Sequence, residues 1–172
     1  MGVVKKEFGK NSKGEQAYLY EITNAAGMKA IVTDFGATLH SLYVPDKDGN
    51  MLDVVWGYEE VSGYEIDNGP YFGATVGRIA NRVGGAVVTV NGVDYKMDVN
   101  ERTNCLHSGP RGWHLRIWNA EAGENFVKFS MLSPDGDQGL PGNFNISVTY
   151  TVTDDNGLKI SYDGVSDKDT YV

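Results

Sequence analysis

Residues 145–153 read NISVTYTVT, and after the turn DDNG (154–157) residues 158–162 read LKISY. Apolar and polar side chains alternate along both runs. Successive side chains of a strand point to opposite faces, so this period buries one face of a sheet and leaves the other wetter. Two such runs joined by a four-residue turn read as neighbouring antiparallel strands.

The same reading extends upstream. Short strand-like runs cover residues 17–22 (AYLYEI), 28–33, 38–44, 53–56, 86–90, 93–97, 118–121 and 126–132. Turn signals separate them: NAAG at 24–27, PDKDGN at 45–50, and Asn91-Gly92, a strong two-residue hairpin signal. The chain holds 22 glycines, in keeping with turns every ten or so residues. No apolar stripe of helical period runs for ten residues, and residues 61–66 suit one helical turn at most. The expected class is all-β, a large antiparallel β-sandwich or barrel. No repeat, low-complexity tract or linker divides residues 1–172, so they read as one domain or part of one. The chain stops at SDKDTYV (166–172) just as a further strand begins, which predicts a sheet cut in mid-course.

Bulk properties exclude several partners. The formal net charge is -8, which repels phosphate backbones and anionic membranes, and no basic stripe offsets it. No apolar run approaches the roughly 18 residues that suggest a membrane span. Cys105 is the single cysteine, so no internal disulfide forms. With no apolar signal segment, the expected setting is cytoplasmic. Neither nucleic acid nor membrane is an expected partner; a neutral small molecule is compatible with the charge.

Chemistry concentrates in two loops. GRIANR (77–82) follows the aromatic pair Tyr71-Phe72, and NCLHSG (104–109) follows some twenty residues later. Arginine is a rigid fork of donors that stays charged, and asparagine offers both donor and acceptor. Together they suit a ligand with several hydroxyls. The plain alternative is that Arg78 and Arg82 pair with some of the 23 acidic residues. His107 lies in a turn-rich loop where it can hydrogen-bond or move a proton; a loop histidine satisfied by backbone is the competing reading. His40 and His114 read as structural or packing residues. Trp56, Trp113 and Trp118 suit stacking on a sugar face, although most aromatics of a β-sandwich are core. The spacing of the histidines and cysteine matches no metal-binding motif, and neither a phosphate loop nor a Gly-x-Ser-x-Gly elbow occurs.

Three motifs in register resemble the aldose 1-epimerase (galactose mutarotase) family: PYFGA (70–74) running into GRIANR; NCLHSG with Gly112-Trp113 and Trp118 after it; and SPDGDQGLPGN (133–143). The resemblance runs from about Ala17 to the end. It implies a large antiparallel β-sandwich with an open carbohydrate cleft, of which this chain is the N-terminal portion. It implies interconversion of the α and β anomers of aldohexoses such as glucose and galactose, without metal or organic cofactor. A base takes the proton of the anomeric hydroxyl, an acid protonates the ring oxygen, the C1–C2 bond rotates, and the ring closes on its other face.

By the same resemblance Asn81, Arg82 and His107 are expected to bind sugar oxygens, with Arg78 a weaker, more structural candidate. The family's general acid, a histidine, and its general base, a glutamate, fall beyond Val172, so neither is assigned to a residue here. Ser108 stands where the family usually has glycine. The expected partners are an aldose and either a second chain carrying the C-terminal half or another copy of this one. A non-catalytic carbohydrate-binding module, or an inactive fragment, is the alternative.

Overall fold

The computed structural model describes residues 2–66 and 69–172. In chain order the strands are β1 (Gly2–Lys10), β2 (Gln16–Thr23), β3 (Lys29–Thr33), β4 (Thr38–Pro45) and β5 (Met51–Asp53). A single helical turn, α1 (Val61–Tyr64), follows. Next come β6 (Arg82–Val83), β7 (Val87–Val90), β8 (Val93–Lys96) and β9 (Cys105–Leu106). The last four are β10 (Asn119–Ala122), β11 (Phe126–Ser133), β12 (Phe144–Val152) and β13 (Leu158–Ser166).

Two antiparallel meanders result. β1 to β5 form one sheet in chain order, and β10 to β13 form the other. The alternation of residues 145–153 is realised in β12. Phe144, Ile146, Val148, Tyr150 and Val152 are buried, while Asn145 is exposed and Thr149 and Thr151 are half-buried. They meet Tyr20, Ile22, Ala30 and Val32 from β2 and β3, with Val127 and Phe129 from β11. One apolar layer between two sheets is therefore the main core, as the alternating runs require. Tyr20 and Phe129 join edge-to-face across it, with ring centroids 5.7 Å apart.

Most polar groups inside the layer are paired, although the buried Trp113 indole N–H has no partner among the described residues. The Tyr150 hydroxyl donates to the Ala37 carbonyl at 2.8 Å, and the Trp118 indole donates to the Trp113 carbonyl at 3.1 Å. Asp34 is 4% exposed and accepts from the Tyr18 amide at 2.8 Å. Burial pushes its carboxyl up to about 6. His40 is a packing residue, its ring 5.3 Å from Phe8 and hydrogen-bonded to Ser41 and the Tyr58 carbonyl.

Three elements differ from the sequence reading. β1 is an edge strand where no strand was expected, because its solvent-facing lysines and glutamate give almost no hydrophobic signal. β5 ends at Asp53, whereas residues 53–56 were expected to be extended. The turn after β4 closes tightly, and Tyr43 already faces Asp53. β13 runs on to Ser166 and among the described residues pairs only with β12, leaving Ile160, Tyr162 and Val165 exposed. Among the described residues no helix is long and apolar enough to cross a membrane.

Candidate functional site

The two polar loops meet through a very short ladder. β6 pairs with β9, Arg82 opposite Leu106 and Val83 opposite Cys105. Beyond it the loops lock more tightly. The Asn81 amide donates to Nδ1 of His107 at 3.0 Å, and the His107 amide donates to the Asn81 carbonyl at 3.0 Å. Ser108 adds a second clasp: its Oγ accepts from the Ile79 amide at 2.7 Å and donates to the Ile79 carbonyl at 3.0 Å. Asn81, His107 and Ser108 all lie at positive φ (61°, 50° and 64°), which L side chains seldom adopt. The reciprocal bonds hold those conformations.

This geometry fixes the state of His107. A backbone N–H on Nδ1 requires that nitrogen to be unprotonated, so the neutral ring carries its proton on Nε2. Burial and the nearby Arg82 charge both lower its pKa, favouring the neutral form. His107 is thus built to present one N–H donor. Tyr71 packs on it, with ring centroids 4.6 Å apart, and His114 lies on Tyr71 at 4.8 Å. His114 is a buried packing residue. Burial pushes it down to about 4, and its Nδ1 has no partner among the described residues.

Arg82 remains largely in solvent. Its Nε reaches Glu101 at 3.4 Å, and its Nη1 reaches the Asn81 side-chain oxygen at 3.5 Å. Asn104 orients Glu101 from the other side at 3.2 Å. Asn81, Arg82 and His107 are therefore brought together, with Arg82 and Asn81 exposed to solvent.

Arg78 is not with them. It is 2% exposed, and its guanidinium donates to Ser133 Oγ (2.7 Å), to the Pro141 carbonyl (2.9 Å) and to the Ser133 and Pro134 carbonyls. Ser133 in turn donates to Asp137, which Arg116 holds through two bonds of 2.8 Å. Its donors are occupied by Ser133, Pro134, Pro141 and Thr170, the arrangement of a support for the 133–141 loop. Gln138, buried at 1%, completes the support. Its Oε1 accepts from the Arg78 amide at 2.8 Å and its Nε2 donates to the Gly77 carbonyl at 2.9 Å. Gly77 has no alternative residue, because a Cβ there would enter the Trp113 ring. The supporting roles of Ser108, Ser133, Gln138 and Tyr71 were not read from the sequence. Their motifs were visible, but the contacts that give them these roles join segments 29 to 61 positions apart.

Comparison with known proteins adds a frame. The family model described as aldose 1-epimerase matches residues 18–172. The aldose 1-epimerase of Haemophilus influenzae is 44% identical over 162 residues, which is 91% of this chain and 45% of that protein. The galactose mutarotase of Rattus norvegicus is 41% identical over 131 residues, 76% of this chain and 38% of that one. A solved aldose epimerase homologue from C. elegans superposes with a TM-score of 0.82 at 38% identity, covering 88% of this chain and 46% of its own. The solved galactose 1-epimerase of Lactobacillus acidophilus gives the same TM-score at 24% identity, over 99% of this chain and 50% of its own, and so bears on the fold alone. The chain spans about half the length of these relatives.

Proposed function

This chain belongs to the aldose 1-epimerase family, and from that premise we propose that it carries the sugar-holding half of an epimerase site. In this reading Asn81, Arg82 and His107 bind the oxygens of a free aldohexose, and Arg78 supports the loop that carries them. The observation behind it is the Asn81–His107 clasp, which leaves the half-buried imidazole one N–H donor beside an exposed arginine. Such a preorganised set of donors suits a polyhydroxylated ring.

The reaction it serves is anomer interconversion. A base removes the proton of the anomeric hydroxyl while an acid protonates the ring oxygen. The open-chain aldehyde rotates about C1–C2, and the reverse proton transfers close the ring. Among the described residues the ionisable groups of the site are already engaged. Glu101 is tied to Arg82 and Asn104, His107 accepts on Nδ1, and His114 is buried and held neutral. By the family resemblance, the acid and base are assigned to groups outside this chain, supplied by a longer form of the protein or by a second polypeptide. The β13 edge, with Ile160, Tyr162 and Val165 exposed, is where we place that association, or self-association. Residues 1–172 are on this account the N-terminal part of one sandwich domain. The single buried cysteine fits a reducing, cytoplasmic setting.

Two measurements test the proposal together. Galactose titration should show binding that weakens by about three- to tenfold in Arg82→Ala and in His107→Ala, the effect of one net hydrogen bond each. Polarimetry should find α-glucose mutarotation at its spontaneous rate with this chain alone. Binding without catalysis, even in the presence of the missing half, would favour the carbohydrate-binding module instead. Catalysis by the isolated chain would overturn the assignment of acid and base.

A further inference from the structure

Of the three tryptophans, Trp113 and Trp118 are core residues, 3% and 2% exposed, whereas Trp56 is 77% exposed. It borders a cavity of about 430 Å³ beside β4, together with Phe72, Tyr58, His40, Asp53 and Glu59. That volume lies within the ~300–1,000 Å³ usual for small-molecule sites. Its segment is also pinned. The Val54 amide donates to the Leu42 carbonyl (2.9 Å), the Val55 amide to Asp53 (3.1 Å) and the Tyr58 amide to the Tyr64 hydroxyl (3.1 Å). Gly57 lies so close to the His40 carbonyl that a Cβ could not fit. Phe72 braces the indole edge-to-face at 5.7 Å, and Tyr58 braces Phe72 at 5.6 Å.

We propose that Trp56 is the platform of a second binding site, for a neutral pyranose ring, distinct from the Asn81–Arg82–His107 set. Three physical features select this ligand. An aromatic face is negative, and the C–H face of a pyranose presents weakly positive hydrogens to it. Glu59, exposed and without a partner among the described residues, offers an acceptor for ring hydroxyls. The two carboxylates of the rim and the net charge of -8 disfavour phosphorylated and uronic sugars. A ring already fixed by its neighbours also loses little conformational freedom on binding. The site adjoins the first through the chain itself, since Phe72 follows Tyr71, whose ring lies against His107. The inference rests on exposure, cavity and bracing in residues 1–172, and its test is separate from that of the Asn81–Arg82–His107 set.

The test uses methyl β-galactopyranoside, a pyranose that cannot mutarotate, titrated to about 100 mM into ¹⁵N-labelled protein. The three indole N–H signals report separately. The Trp56 signal and the Gly57 and Phe72 amides should move saturably, with half-saturation in the millimolar range. The movement should persist in Arg82→Ala. Trp56→Ala should abolish the saturable movement at Gly57 and Phe72, and methyl glucuronide should bind at least several-fold more weakly than the galactoside. An unmoved Trp56 signal overturns the proposal, as does a movement lost in Arg82→Ala or one unchanged at Gly57 in Trp56→Ala. None of these outcomes bears on whether an aldose binds at His107, which the Arg82 and His107 variants test separately.

Discussion

The backbone amide of Asn81 lies 3.0 Å from Nδ1 of His107, and the backbone amide of His107 lies 3.0 Å from the carbonyl of Asn81. Two residues 26 positions apart thus close a reciprocal pair that sets both the backbone of the loops and the tautomer of the imidazole. Everything else at the site supports this pair: Ser108 clasps Ile79, and Arg78 and Gln138 anchor the start of the GRIANR loop.

Arg78→Met is expected to destabilise the fold by about 3–5 kcal/mol, the range for breaking a buried charged network. The substitution removes the guanidinium donor from the Ser133 and Pro141 carbonyls and from the Ser133 hydroxyl, while the Pro134 carbonyl keeps the Asp137 amide and Asp137 keeps Ser133 and Arg116. Urea unfolding measures it as a lower midpoint. A change below about 1 kcal/mol would mean that the guanidinium is not the organising group.

Ser108→Ala removes a buried hydroxyl that satisfies both polar groups of Ile79. The expected loss is about 1–3 kcal/mol, because the amide is left unpaired. Ser108→Gly should lose less, since glycine relieves the φ of 64° while losing the same bonds. Thermal melting of the two variants ranks them; the reverse order would contradict a clasp role.

Asp34 makes stability depend on pH in an unusual direction. Its folded pKa of about 6 lies above its ordinary 3.8, so between these values the folded state binds more protons than the unfolded one. Stability from this group is fully present below pH 3.8 and is lost as pH rises through 6. The gap corresponds to roughly 3 kcal/mol. His114 acts oppositely. It stays neutral down to about 4 in the folded state, so its contribution is present above 6.5 and lost as pH falls through 4. The two partly cancel in the native chain. Asp34→Asn should therefore expose the His114 slope, raising stability at pH 7 while making the protein lose stability from pH 6.5 to 4. Urea midpoints across that range check it; a pH profile identical to the native one would contradict the buried-acid account.

The sequence carries the sandwich wherever a strand has one buried face. Residues 145–153 alternate because Ile146, Val148, Tyr150 and Val152 enter the core, and the Asn91-Gly92 turn produces the β7–β8 hairpin as expected. It does not carry β1, whose edge position requires little burial, nor the two-residue β6–β9 ladder, which no local pattern encodes. That Asn81, Arg82 and His107 lie in two polar loops was legible in the sequence; that the two loops meet was not. The residues alone treat Arg78 and Arg82 alike and only the family resemblance ranked Arg78 as the weaker, more structural one; three-dimensional closure supplies the physical difference, a guanidinium facing solvent against one enclosed by carbonyls. Trp56 was one of three tryptophans until burial singled it out.

The central claim is that His107 presents a fixed Nε2–H to an aldose. The most direct test is the imidazole ¹⁵N spectrum of His107 at neutral pH, with and without galactose. The account predicts an unprotonated Nδ1, a protonated Nε2, and an Nε2 signal that moves saturably as galactose is added. A proton on Nδ1, or an Nε2 signal unmoved by galactose, would contradict it.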